Sequence, residues 1–255
     1  MGSKRYFHRS FTYRVTYFMF SVMVFFVRSL RNRRNSIIVY PRNFENNLST
    51  IFEKFKTDKG GNGINVHHNY HLAYELIFAP HRMQVRNVLE IGIGTTNPKI
   101  KSSMGPSGVP GASLRSWREY FPNANISGAD IDPEILFNEE RIDCHFTNQE
   151  SEKHLQELSM KFERANTKFD VVIDDGLHTL DAAVKTFNEF KRLVTPGGIY
   201  VIEDVPIRKW KAYSNKIDVS DFGCYYLRLT NPKTNRFSGD NFLIFLYKHY
   251  EKFSE

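Results

Sequence analysis

The chain is poor in cysteine, lacks a long apolar run and carries no acidic residue in its first 44 positions, and each absence excludes something. Of its 255 residues only Cys144 and Cys224 are cysteines, neither with the nearby Cys or His of a zinc site or redox pair. They are read as two thiols packed as small hydrophobes, so neither a metal finger nor a disulfide framework is expected. The uncharged apolar stretch Val15–Val27 covers about 20 Å at about 1.5 Å per residue, against the roughly 30 Å of a hydrocarbon layer. No internal repeat or low-complexity segment is visible. With 41% hydrophobic, 15% aromatic and 25% charged residues, the composition is that of a globular chain and excludes a disordered or collagen-like one.

The formal charge of +7 would by itself raise nucleic acid or an anionic membrane as a partner. Its distribution says otherwise. Nine of the 35 basic residues fall within residues 1–44, which leaves 26 basic against 28 acidic residues in 45–255, a net of −2. The basicity belongs to an N-terminal arm, and nucleic acid is not favoured. Arg14 precedes the apolar run and Arg28, Arg31, Arg33 and Arg34 follow it. Snorkelling arginines and a thinned bilayer keep a short membrane anchor open, which would make the protein membrane-associated through residues 1–44. The alternatives are a poorly ordered extension, or a helix packed on the domain or on a partner protomer of a homo-oligomer. Either leaves the protein cytoplasmic. A cleaved signal peptide is disfavoured because no small-residue cleavage pattern follows.

Pro41–Asn47 reads as a linker, so the chain divides into the arm (1–44), a helical cover (45–84) and a main domain (85–255). In the cover, Leu48, Ile51, Phe52 and Phe55 recur at helical spacing. A Gly-rich turn around Gly60, Gly61 and Gly63 then leads to a second helix over His67–Phe78. From Asn87 onward, strand-like runs alternate with helical ones. Strands are expected at Asn87–Ile93, Asn125–Ile131, Asp143–Phe146, Phe169–Asp174, Gly198–Glu203, Cys224–Leu229 and Phe242–Tyr247. Helices are expected at Ser113–Tyr120, Glu152–Phe162 and Leu180–Leu193. This order predicts an α/β fold: a Rossmann-like, seven-stranded, mostly parallel sheet with helices on both faces and the last strand pair a hairpin.

In such a sheet ligands bind at the carboxyl ends of the strands. The first strand ends Glu90-Ile91-Gly92-Ile93-Gly94, glycines that let the backbone turn sharply beside a ligand. A dinucleotide fingerprint would need a third glycine where Asn97 stands, and a long loop, Thr95–Gly111, replaces its immediate helix. A cofactor without a pyrophosphate is favoured. The second strand ends at Asp130, placed to accept both hydroxyls of a ribose, whereas Asp132-Pro133 starts a turn. After the third strand, Asn148-Gln149 reads either as an adenine-edge contact or as a capping turn. The fourth runs into Asp174-Asp175-Gly176-Leu177-His178 and the fifth into Glu203-Asp204. Four carboxylates and a histidine at neighbouring strand ends repel unless a cation or proton compensates, and oxygen-rich ligation suits Mg²⁺ or Mn²⁺. Some of these acids are helix caps in the alternative reading.

These residues resemble class I S-adenosylmethionine (SAM)-dependent methyltransferases, through Glu90–Gly94, Asp130 and Pro196-Gly197-Gly198. The likeness is closer to a subgroup related to the macrocin and mycinamicin sugar O-methyltransferases and to cephalosporin hydroxylase-like proteins. Its marks are Thr57-Asp58-Lys59, His68-x-Tyr70-x-x-x-Tyr74-Glu75, Gly111–Trp117, Tyr120–Ala124, Ile173–His178 and Tyr200–Asp204, spread over roughly residues 55–247. The resemblance implies that Glu90, Gly92 and Gly94 line the methionine portion of SAM and that Asp130 binds its ribose, with Asn148, Gln149 and Asp174 also assigned to the cofactor site. It implies further that Asp175 and Asp204 hold Mg²⁺, with Asp174 or Glu203 a candidate in the metal shell and His178 the general base. Two departures stand out: Asn148-Gln149 where similar proteins have Asp-Gln, and Leu177 where they have serine.

The expected activity is transfer of a methyl group from SAM, assisted by Mg²⁺, to a hydroxyl of a sugar, glycan or other small molecule. The competing readings are an RNA ribose 2'-O-methyltransferase and a non-catalytic SAM-binding scaffold. The acceptor pocket is expected among the cover helices, the Thr95–Gly111 loop and Pro206–Asp221, where Trp210 and Tyr213 serve either stacking or packing.

Overall fold

The computed structural model describes residues 25–27, 35–39, 47–60, 68–206, 208–230 and 237–249. Its elements are β1 (Phe25–Val27), β2 (Asn35–Val39), α1 (Asn47–Phe55), α2 (Tyr70–Phe78), β3 (Asn87–Ile91), α3 (Ala112–Tyr120), β4 (Asn125–Asp130), β5 (Asn138–Glu139), β6 (Ile142–Phe146), α4 (Glu152–Arg164), β7 (Phe169–Asp174), α5 (Leu180–Phe190), β8 (Val194–Ile202), α6 (Trp210–Lys216), β9 (Phe222–Thr230) and β10 (Phe237–Lys248). They form one sheet in the order β1-β2-β9-β10-β8-β7-β3-β4-β6-β5. The five central strands, β6-β4-β3-β7-β8, are parallel, and β10 runs antiparallel to both β8 and β9. The expected α/β sheet and its terminal hairpin are present.

The strand count differs from seven. β5 is a two-residue edge too short for any alternation to announce it. β1 and β2 come from the arm, and β2 pairs parallel with β9. Residues 15–24 of the apolar run lie outside the described residues, while Phe25–Val27 are extended, so no helix reaches the end of that run. β8 begins four residues before the expected Gly198 because Pro196-Gly197-Gly198 is absorbed at a register shift against β7, with Gly197 at φ +80°. Among the described residues no helix is long and apolar enough to cross a membrane. Cys144 on β6 and Cys224 on β9 are not bridged.

Side chains alternate across the sheet and feed two cores. Val88, Val171, Ile173 and Val201 face the cover side, with α1, α2 and α3. Leu89, Ile91, Val172, Tyr200 and Ile202 face α4, α5 and α6. On the cover side Trp117 is the centre: the rings of Phe52 and Tyr74 each meet it edge-on at 5.2 Å. Helices α4 and α5 start on side-chain caps, Ser151 accepting from the His154 amide and Thr179 from that of Ala182. This alternation decides where each strand-end acid points.

Candidate active site

Continuing the alternation past each strand end places Glu90 with Val88, Asp175 with Ile173 and Glu203 with Val201, all toward the cover. Asp174 goes with Val172 to the other face. The contacts agree. Lys59, from the cover, sets its Nζ 2.5 Å from Asp175 Oδ2, 2.6 Å from Glu203 Oε2 and 3.2 Å from Glu90 Oε1. Tyr74 donates its hydroxyl to Glu203 and Tyr70 to Asp204, and Trp117 Nε1 donates to Glu90 at 3.0 Å. Four carboxylates are thus met from the cover and α3.

Asp175, His178 and Asp204 each offer a ligand atom within 4.8 Å of the other two. His178 Nε2 is 3.1 Å from Asp175 Oδ1 and 3.8 Å from Asp204 Oδ2. Both His178 (φ +56°) and Asp204 (φ +51°) have left-handed backbones, a conformation costing roughly 1–2 kcal/mol for a residue with a Cβ. Such strain is found where a side chain must be aimed off the regular path. Here it turns Asp204 toward Asp175 although Asp204 follows Glu203 directly.

Burial alone would lower the His178 imidazole, but the hydrogen bond and charge of Asp175, with Asp204 and Asp174 behind it, push it up to about 10. For Asp175, burial pulls upward and is outweighed by Lys59 and His178, so its carboxyl sits below the usual range. Burial raises Asp204, and it carries Glu90 up to about 7 despite Lys59. The ligand set contains two carboxylates and no sulfur, which fits a hard divalent cation such as Mg²⁺.

Beside this group, a cavity of about 230 Å³ is lined by Gly92, Asp130, Asn148, Gln149 and the loop residues Lys99–Ser102. A smaller one of about 50 Å³, sharing Gly92, is lined by Gly94, Lys59, Ser113 and Asp175. Gly92 is required: at φ +89° a Cβ would stand 2.1 Å from the Asp175 carbonyl oxygen. Asp130 closes the turn by accepting from the amides of Ile93 (2.8 Å) and Asp132 (2.9 Å) and still borders the larger cavity. Asp132 accepts from Thr95 and from the Glu134 amide, the turn-starting role expected of it.

Three residues assigned to the cofactor site are placed differently from the rest. Glu90 is fully buried and borders neither cavity directly; Lys59 and Ser113, which it contacts, do. Gln149 spends its side chain on protein: Nε2 donates to Asp174 (2.6 Å) and Thr186 (3.0 Å), and Oε1 accepts from the Leu177 amide (2.7 Å). Asp174, buried between Gln149 and Tyr200, is pushed up to about 6 by that burial and borders neither cavity. Asn148 caps a turn by accepting from the Glu150 amide and borders the larger cavity. Glu203 lies outside the Asp175–His178–Asp204 group, held by Lys59 and Tyr74. Trp210 packs on Tyr226 at 5.2 Å, and buried Tyr213 reaches the His178 carbonyl at 3.5 Å. Tyr213 therefore braces the segment that carries His178, while Trp210 packs on the outer strands.

Lys59, Tyr70 and Tyr74 belong to the motifs that carry the resemblance, but residue type and spacing alone assign them no role. The signal was available: three acids of like parity on adjacent parallel strands require a cation from the facing layer.

A model described as "Methyltransferase domain" matches residues 107–234. The chain is 34% identical over 167 residues to 8-demethyl-8-(2-methoxy-alpha-L-rhamnosyl)-tetracenomycin-C 3'-O-methyltransferase of Streptomyces olivaceus, covering 65% of this chain and 37% of that protein. It is 32% identical over 173 residues to mycinamicin VI 2''-O-methyltransferase of Micromonospora griseorubida, covering 67% and 39%. The chain therefore spans less than two fifths of these relatives' length. Among solved structures, the MycE methyltransferase from the mycinamycin biosynthetic pathway, in complex with Mg and SAH, aligns with a TM-score of 0.58 at 23% identity over 83% of this chain and 57% of that one. That likeness is one of fold. With half of its length inside the family model, the chain belongs to the methyltransferase-domain family.

Proposed function

We propose that the protein is a SAM-dependent O-methyltransferase that uses Mg²⁺ to methylate a hydroxyl of a sugar, glycan or other small molecule. The observation that carries this reading is the Asp175–His178–Asp204 group beside a cavity bordered by Gly92 and Asp130. One relative is named for a rhamnosyl tetracenomycin-C and another for mycinamicin VI, which supports a sugar-bearing small-molecule acceptor. In this reading residues 85–255 hold the cofactor, with Asp130 at the ribose and Gly92 and Gly94 at the methionine end, and residues 45–84 cover it. When bound, SAM would supply an electrophilic methyl group, and Mg²⁺, which Asp175 and Asp204 would hold, would supply Lewis-acid assistance to the acceptor hydroxyl.

The chain's own contribution is alignment and proton handling. Methyl transfer is an in-line displacement, so the acceptor oxygen must be fixed opposite the leaving sulfur. His178 accepts the acceptor's proton. Asp175 and Asp204, which hold the imidazole in its charged form, are also the residues that would hold the cation, and sharing them would lower His178 toward the range of a base. The arm, residues 1–44, is proposed to govern where the protein sits, at a membrane surface or in the cytoplasm.

Calorimetry with S-adenosylhomocysteine and with Mg²⁺ tests the reading. Both should bind the wild-type protein. Asp175→Asn should abolish the Mg²⁺ heat and keep S-adenosylhomocysteine binding within about threefold, and His178→Ala should keep S-adenosylhomocysteine binding while losing turnover. No S-adenosylhomocysteine binding at millimolar concentration overturns the assignment.

A further inference from the structure

The three cover-facing acids meet on a single lysine. Lys59 Nζ touches Glu90, Asp175 and Glu203 within 3.2 Å, and its side chain is only 3% exposed. The other end of the residue is tied to the fold: its amide donates to Thr57 Oγ1, and its carbonyl accepts from the Tyr70 amide at 2.8 Å. One ammonium is the only cation within reach of all three carboxyl groups among the described residues, Tyr74 and Trp117 adding neutral donors to Glu203 and Glu90. Buried charge of this density is held together only by compensation. Asp175 is the shared member, with Oδ2 on Lys59 and Oδ1 on His178, within the group that fits a divalent cation.

We propose that Lys59 is a positioning residue that acts as a tethered counter-cation: it keeps Glu90, Asp175 and Glu203 converged before the divalent ion arrives, and it limits how tightly that ion is held. The inference rests on the reading of Asp175 and Asp204 as metal-binding residues. Because Lys59 draws on a carboxylate that would also serve the ion, loss of the lysine would strengthen the field there. The same ammonium reaches Glu90, beneath the smaller cavity, so the cover joins the cofactor end of the site to the metal end.

This role gives two effects of opposite sign, which a packing role does not. Lys59→Met keeps much of the stem and removes the charge. Without divalent ion it should melt below wild type, since three carboxylates lose their partner. It should also bind Mg²⁺ about tenfold more tightly in calorimetry, and its melting temperature should rise more per addition of Mg²⁺. Lys59→Arg, which keeps the charge, should stay within about threefold of wild-type affinity. Should Lys59→Met not fold alone, it is made in a Glu203→Gln background, where one charge of each sign is removed, and compared with Glu203→Gln itself; tighter Mg²⁺ binding is again expected. Equal or weaker Mg²⁺ affinity on losing Lys59 overturns the proposal. Failure of the wild-type protein to bind millimolar Mg²⁺ is distinguishable from that result, because it overturns the metal reading and this proposal with it.

Discussion

Gly92→Ala probes the contact between the cofactor turn and the metal-side loop. The added Cβ would lie 2.1 Å from the Asp175 carbonyl oxygen, 2.5 Å from its carbon and 2.6 Å from the Gly176 Cα. All three are backbone atoms and cannot swing aside. Reaching the 3.0 Å below which real Cβ contacts are essentially never found requires β3 and the loop after β7 to part by about 0.9 Å. The Asp175 amide donates to the Ile91 carbonyl at 2.8 Å, and that bond breaks first. A left-handed alanine costs roughly 1–2 kcal/mol, the bond about 1 kcal/mol and the overpacking roughly 1–3 kcal/mol. Together these predict a loss of roughly 3–6 kcal/mol, or a drop of roughly 6–24 °C in melting temperature for a chain of this size. Moving Asp175 by about 1 Å should also slow turnover by about 100-fold. Gly105→Ala is the control: at φ +77° with nothing within 4 Å of its Cβ, it carries the backbone strain alone. Thermal unfolding and calorimetry with S-adenosylhomocysteine and Mg²⁺ separate the two. If Gly92→Ala melted with Gly105→Ala and bound both ligands within twofold of wild type, the close-approach reasoning would be refuted.

Gln149→Leu should cost about 3 kcal/mol at pH 7.5, because it leaves buried Asp174 and the Leu177 amide without their partner. Asp174, near 6, lies above its ordinary 3.8, so the folded chain binds the extra proton and stability falls as pH rises from about 4 to about 6. Removing the Gln149 donor raises Asp174 further, and denaturant titrations should show a smaller penalty at pH 5 than at pH 7.5; a pH-independent penalty would count against this role. Removal of residues 1–44 should leave S-adenosylhomocysteine affinity within twofold, because β9 and β10 stand between β2 and β8. A lower melting temperature is expected from the ladder that β9 loses.

The central strands were legible because their apolar runs are bounded by turns and separated by helices; β7, Phe169–Asp174, falls at its expected limits. α6 was not, since seven residues within a segment expected to be loop carry little periodic signal. β2 was hidden by the arginines before it, although Ile37, Ile38 and Val39 are good strand formers. In the site, residue type pointed to Asp175, His178 and Asp204, but their aim depends on two left-handed backbones that no spacing rule announces. Gln149 follows a strand end and borders the larger cavity, but the network that fixes its side chain is not legible from its position. Its actual partners, Asp174, Thr186 and Leu177, come from later in the chain and meet it only after the sheet has formed.

The width of the sheet bears on how the protein behaves at high concentration. A ten-stranded sheet presents two rims of unpaired amide and carbonyl groups, and long rims recruit strands from other molecules. Among the described residues one rim is the three-residue β1 and the other the two-residue β5. As described, neither offers the length of ladder that a foreign strand needs to register. Without the arm, the nine-residue β9 would become the rim instead. A basic segment that looked foreign to the domain thereby serves as its hem, and the truncated chain should self-associate at concentrations where the full chain stays dispersed.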